Sequence, residues 1–338
     1  MIQAHIAKLI LALFFLVSLV WSVFVPVFEA PDETTAYEYG RYYARTWTLP
    51  VLTKLPLPQG VHHWEPLYFM LLGRIAKMVD APLSEVSHYQ YSESWTRIRE
   101  ENPKNLYQHE TKEFNFGWDK LAVSLHLMRL LSVFLATGSV WFLYKAGREI
   151  FPKESWIPTL SMLLFAFNPQ FVFFSGVLNV VNMINFSFSL FLWLLMRFLK
   201  NTAHNLFHIF SLGVMFGISL LSKMTALATL PVVLMAIYWQ RIRIKKPVIS
   251  AIVLFLVVFF LTGGWYLVRN QVLYGEFTGS RAHVLYRFGK ITNPFLEEVG
   301  LLNFIISYPK TQWTTLWSGY GWITIYLPMA VPFLLAVV

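Results

Sequence analysis

Apolar residues fall in long blocks along this chain, divided by short polar breaks. Runs reach from about 6 to 28, 122 to 144, 157 to 175, 181 to 199 and 247 to 268. Residues 207–239 hold two shorter runs that meet at Ser222-Lys223, and a last run starts near Trp322 and reaches Val338. A helix that crosses a bilayer needs roughly 20 apolar residues to cover the hydrocarbon thickness. The pattern therefore predicts about eight transmembrane helices. Strict alternation over segments of about ten residues, the mark of a membrane barrel, is absent. The first run is too long for the apolar part of a signal peptide and has no small-residue cleavage pattern after it, so it reads as a retained span. The last run, about 17 residues, ends without a polar flank, which fits a fragment of a longer protein.

The polar stretches complete the map. The expected organisation is a first span at 1–28, an outer loop at 29–121, spans two to seven at 122–268, a second outer loop at 269–320 and the eighth span at 321–338. Within the first loop, residues 32–47 place Glu33, Ala36, Tyr37, Gly40, Tyr43, Ala44 and Trp47 on one helical face, with Thr34, Glu38, Arg41 and Arg45 opposite. Such a helix is expected to lie in the membrane interface with its aromatics down. Residues 66–79 are apolar but too short to span. With Pro66 suited to a first turn, they predict a re-entrant or interfacial helix. Residues 84–120 read as a polar surface excursion.

Charge sets the orientation. Lys8, then Lys145, Arg148 and Lys153, then Arg197 and Lys200, then Arg241, Arg243, Lys245 and Lys246 all flank spans at one set of ends. Those ends belong in the cytoplasm by the positive-inside rule, which puts both long loops outside. The net charge of +9 is therefore a topology signal and not a nucleic-acid footprint. The chain is 56% hydrophobic and 13% charged, against about a quarter charged for a soluble domain. Of 18 acids, 13 lie between Glu29 and Asp119; the others are Glu149, Glu154, Glu276, Glu297 and Glu298. No acid interrupts a span, which excludes the carboxylate relay of an ion-coupled transporter. The chain has no cysteine, hence no disulfide or thiolate metal site.

Several residue sets could carry chemistry. Asp32-Glu33 stands where the chain leaves the first span. Asp32 suits a helix N-cap, and Glu33 suits the helix dipole. Spacing puts Glu33 with the aromatics, where a cavity-facing carboxylate would serve as general base. His62-His63-Trp64-Glu65-Pro66 is either solvated surface or, through His63 and Glu65, part of a divalent metal site. Lys223 breaks an apolar stretch, and Arg129, Arg269, Arg281 and Arg287 join it near the outer face. They either snorkel to headgroups or bind an anionic lipid phosphate. Asn168, Asn179 and Asn182 read as helix caps.

Put in order, these pieces resemble a known pattern. Pro31-Asp32-Glu33 precedes a Tyr/Ala/Arg helix and Leu49-Pro50. Glu65-Pro66-Leu67-Tyr68, Arg129-Leu-Leu-Ser132, Ser222-Lys223-Met-Thr225, Trp265-Tyr-Leu-Val-Arg269-Asn270 with Tyr274-Gly275, and Trp317 to Gly321 follow. The whole resembles the GT-C superfamily of membrane glycosyltransferases, in the branch of protein O-mannosyltransferases and bacterial aminoarabinose transferases. The resemblance implies a helical bundle whose first outer loop forms juxtamembrane helices. It implies a sugar donor on a polyprenyl phosphate, an acidic base in the first outer loop and, in some members, a divalent metal ion. Two positions depart from it: Ala36 stands where related sequences often carry His, and Val180-Val181 where they often carry Asn-Asp.

The expected activity is inverting sugar transfer at the outer face of the plasma membrane, with the N-terminus in the cytoplasm. Glu33 or Asp32 would be the base. Lys223, Arg269, Arg281 and Arg287 would meet the leaving phosphate, and Tyr37 and Tyr68 would stack on sugar or lipid. The alternative is a non-catalytic polyprenyl-lipid carrier or assembly protein, which the missing second acid favours.

Overall fold

The computed structural model describes residues 2–52, 64–82, 106–107, 119–200, 206–288 and 299–320. Every regular element among them is helical. In chain order these are α1 (Ile2–Phe24), α2 (Glu33–Thr46), α3 (Leu67–Met78), α4 (Lys120–Ile150), α5 (Trp156–Ala166), α6 (Pro169–Ser175), α7 (Val181–Lys200) and α8 (Leu206–Ser222). A 3₁₀ turn at Met224–Thr229 leads into α9 (Leu230–Arg243). Then come α10 (Val248–Phe259), a π-helical turn at Phe260–Gly264, α11 (Trp265–Tyr274), α12 (Ser280–Phe288) and α13 (Leu301–Ser318).

This is an integral membrane protein. Five helical stretches are long and apolar enough to cross a bilayer, or six if α5 and α6, bent by 65° at Phe167-Asn168, make one span. The apolar α8 adds a shorter piece. The expected count of about eight is not reached among the described residues, and the run at 321–338 lies outside them. So does most of the expected surface excursion at 84–120. On α1, Leu9, Leu13, Leu16 and Val20 recur every three to four residues and are all exposed. A stripe of that kind faces hydrocarbon rather than a partner helix.

The long helix α4 is the spine. Asp119 caps it by accepting the Ala122 amide at 2.7 Å. One core lies between α4 and the pair α2–α3, built from Tyr37, Tyr39, Tyr43, Tyr68, Phe69, Leu72, Leu125 and Met128. A second lies among α7, α8, α9 and α10, around Phe191, Phe216, Phe255 and Phe259. Two close approaches depend on missing side chains. A Cβ on Gly73 would stand 2.7 Å from the Tyr43 Cβ, and one on Gly217 would stand 2.7 Å from the Thr262 Cβ. The π-helical turn at Phe260–Gly264 meets α8 at that second crossing.

The expected division of α2 into a packed face and an open polar face is corrected here. Glu33, Thr34, Thr35, Ala36, Tyr37, Tyr39, Gly40, Arg41 and Tyr43 are all buried, on both of the faces that spacing separated. Arg41, expected outside, is 4% exposed; it pairs with Glu38 at 3.0 Å and donates to the Ala81 carbonyl at 3.4 Å. α3 packs on the face of Gly40, Tyr43 and Ala44, and the Ala81 carbonyl meets Arg41 on the other, so burial reaches both faces while Arg45 stays exposed.

Candidate active site

The site begins where α1 ends. Phe28 (φ 64°) and Asp32 (φ 63°) both adopt the left-handed conformation and fold the chain sharply into α2. Asp tolerates this region better than most side chains. The turn is pinned by Arg129 from α4, which is 0% exposed. Its guanidinium donates to the carbonyls of Ser22 at 2.9 Å, Val25 at 2.6 Å and Pro26 at 3.0 Å. The same group grips both oxygens of Glu33, at 2.8 and 2.7 Å. Glu33, also 0% exposed, takes a third bond from the Leu178 amide at 3.0 Å. This two-pronged ion pair ties α1, α2, α4 and the α6–α7 turn together. It is the arrangement a buried charge requires: both carboxylate oxygens accept hydrogen bonds, and the countercharge is in direct contact. Glu29 plays a similar part, accepting the Leu106 and Tyr107 amides at 2.8 and 2.9 Å.

These contacts reverse the division of labour expected between the two carboxylates. Asp32 makes no capping bond to α2; it is exposed and borders a cavity of about 1010 Å³. Glu33 is the buried strut and does not border that cavity. Helical spacing placed Glu33 with the aromatics correctly, but that face is the one packed on α4.

Two further charged groups reach the cavity. Glu65 borders it, accepting a hydrogen bond from the Met224 amide. Burial pushes its carboxyl above the ordinary value of 4.5, and the amide bonds and nearby Lys223 pull in the other direction. The preceding residue is tethered as well, since the Tyr266 hydroxyl donates to the Trp64 carbonyl at 2.9 Å. Lys223 stands where α8 stops. Its extended backbone (φ −161°, ψ 130°) precedes the 3₁₀ turn, and its side chain borders the same cavity. An ammonium and two carboxylates from three separate parts of the chain thus share one space.

The walls divide by chemistry. Phe165, Phe171 and Phe174 from α5 and α6 supply an aromatic side. Asn168, Gln170 and Asn179 supply amides. Asn168 and Asn179 also take the capping roles expected of them, accepting the Phe171 amide at 3.0 Å and the Val181 amide at 2.9 Å. Asn182 donates to the Phe174 carbonyl at 2.7 Å. Gln312, Thr315 and Leu316 of α13 close the remaining side, a contribution that sequence spacing had not indicated. Its only sequence signal was the Trp317–Gly321 piece beside it.

Other expected site residues lie elsewhere. Tyr37 is 0% exposed, packs against Phe28 and donates to the Pro82 carbonyl at 3.2 Å. Tyr68 is 0% exposed and shares a hydrogen bond with Ser132 at 2.8 Å. Both are core residues, placed there by the same burial that hides α2 and α3. Arg269 holds the Pro50 carbonyl and stands 5.4 Å above the Tyr266 ring, without bordering the cavity. Arg281 is exposed on α12 and also stays outside the lining. Arg287 belongs to α12, but its side chain falls outside the described residues, as does His63. Among the described residues no three His, Asp or Glu side chains converge. Asp32 and Glu65 are the acidic groups of the cavity among the described residues, short of the three protein ligands of a catalytic zinc site.

Over residues 121–265 the chain matches the family model described as dolichyl-phosphate-mannose-protein mannosyltransferase, of the GT-C superfamily. The match bears out the resemblance drawn from the motifs, and it covers α4 through the π-helical turn. No curated protein matches the chain. No solved structure matches it.

Proposed function

We propose, from the premise that this chain carries the helical core of a GT-C glycosyltransferase-type enzyme, that it transfers a sugar from a polyprenyl-phosphate donor to an acceptor hydroxyl in the cavity. The observation that carries the reading is the meeting of Asp32, Glu65 and Lys223 on one cavity with an aromatic wall. Asp32 takes the proton of the acceptor hydroxyl as its oxygen attacks the anomeric carbon. The bond from that carbon to the phosphate oxygen breaks on the opposite side and its electron pair leaves with the lipid phosphate, so the anomeric configuration inverts. Lys223 faces the charge that develops there, where a fixed cation acts most strongly. Glu65, partly buried beside it, orients the ammonium. The phenylalanines of α5 and α6 suit the isoprenoid chain, and the amides suit sugar hydroxyls. Glu33 and Arg129 hold the turn that presents Asp32.

The family's dependence on dolichyl-phosphate-mannose supports a donor of this class. The basic clusters at the opposite helix ends support an outer-face cavity in the plasma membrane. No step here runs through a metal ion.

The test is transfer from a radiolabelled polyprenyl-phosphate sugar by the purified full chain in nanodiscs. Asp32→Asn, which keeps the left-handed turn, is expected to lower the rate by about 10²–10⁴-fold without changing the melting temperature. Transfer at the wild-type rate in Asp32→Asn would refute the base assignment. The carrier reading keeps one observation in its favour: Val180 and Val181 border the cavity where related sequences often carry an acid. Donor binding by the wild-type protein with no transfer would decide for that reading.

A further inference from the structure

A second pocket lies at the other end of the bundle and has no part in the chemistry above. It measures about 860 Å³ and is bordered by Gln3 and Ala4 of α1, by Trp141, Lys145, Arg148 and Glu149 of α4, and by Ser155. Arg129 and Lys145 sit on the same helix, separated by about 24 Å of rise, so the two pockets approach opposite membrane faces. The volume falls within the usual range for a small-molecule site, about 300–1,000 Å³.

Four cations of this face differ in what engages them. Arg241 donates to the Pro247 carbonyl at 3.1 Å and Arg243 to the Leu199 carbonyl, so both are spent on helix ends. Lys145 and Arg148 form no ion pair among the described residues. The Lys145 ammonium instead stands 5.7 Å over the Trp141 ring and 5.5 Å over the Trp193 ring. Two indoles hold a cation in place without neutralising it. Trp141 borders the pocket itself, as an interfacial indole would at headgroup depth. Lys145 and Arg148 are three residues apart, hence on one helical face.

We infer that this pocket binds the headgroup of an anionic phospholipid in the leaflet opposite the cavity. The Lys145 and Arg148 cations take the phosphodiester, and Gln3, Ser155 and Glu149 take headgroup hydroxyls. The charge count selects the ligand. Two cations and the Glu149 carboxylate leave one net positive charge along the lining, which matches a phosphodiester monoanion and disfavours a phosphate dianion. Basic pockets between membrane helices on this kind of face are a recurring lipid-headgroup site. The inference stands apart from the glycosyltransferase reading and survives if that reading fails.

Native mass spectrometry of the purified full chain tests it, after incubation with phosphatidylglycerol, with phosphatidylcholine, or with phosphatidylglycerol plus millimolar inorganic phosphate. Wild type should retain phosphatidylglycerol in preference to phosphatidylcholine. Retention should fall about tenfold or more in Lys145→Gln/Arg148→Gln and stay unchanged in Lys245→Gln/Lys246→Gln, which removes two cations of the same face outside the pocket. Lys145→Arg, which keeps charge and packing, should retain the lipid and serves if the double variant does not fold. Equal retention by wild type and the double variant, or no preference between the two lipids, overturns the proposal. Displacement of the lipid by inorganic phosphate assigns the pocket to a free anion and also overturns it.

Discussion

Glu33 and Asp32 are neighbours with opposite environments, and that difference can be measured. Removing one partner of a buried ion pair leaves the other charge uncompensated, at a cost of about 3–5 kcal/mol. Glu33→Gln and Arg129→Met are each expected to lower stability by that amount in detergent-based thermal unfolding, whereas the paired Glu33→Met/Arg129→Met change should cost clearly less than the sum of the two. Single variants as stable as wild type would show that the pair is not the strut described. Glu65 makes a different prediction. Its carboxyl is raised by burial, so the folded protein holds a proton that the unfolded chain releases near 4.5. The folded state then binds more protons in the window above 4.5, and stability falls as pH rises through it. Glu65→Gln keeps an acceptor for the Met224 amide and removes the titration. Its stability should gain on wild type as pH climbs from about 4.5 and level off above the raised value; a constant difference across pH would refute it.

At the scale of elements, helix crossings are set by what is absent from glycine. The Gly217 crossing brings α8 against the π-helical turn so closely that an added Cβ would lie 2.9 Å from the Gly263 amide nitrogen. That neighbour is backbone and cannot rotate away. Gly217→Ala is therefore expected to cost about 1–3 kcal/mol, the usual penalty of overpacking. Melting of the purified variant checks this, and an unchanged melting point would mean that α8 slides at no cost. The α2–α3 pair follows the same logic through Gly73 and Tyr43. Its two helices are too short to span a bilayer, yet they pack as an inner layer, and the segment that leads into α3 sets Trp64 against Tyr266 and Glu65 against the Met224 amide.

For the whole molecule, the central question is which membrane face the cavity opens to. The chain has no cysteine, so single cysteines can be introduced without background. In intact cells, Thr278→Cys, exposed in the loop after α11, should react with a membrane-impermeant maleimide. Lys246→Cys, exposed between α9 and α10, should react only after permeabilisation. The opposite labelling pattern would invert the proposed topology and place the sugar-transfer cavity in the cytoplasmic half.

The helical class, the membrane setting and the family resemblance were legible in sequence, because each depends on local quantities: run length, charge at span ends and motif order. Lys223 was legible too, since an ammonium inside an apolar stretch is costly wherever the chain folds. The roles of Asp32, Glu33, Glu65, Tyr37 and Tyr68 were not. Spacing along a helix tells which residues share a face, but not whether a neighbouring helix or open space meets that face. That was decided by Arg129, almost a hundred residues away in the chain, whose fixed fork of donors needs one carboxylate and three carbonyls at once. Burying Glu33 to satisfy it leaves Asp32, one residue earlier and turned by a left-handed backbone, as the carboxylate open to the cavity.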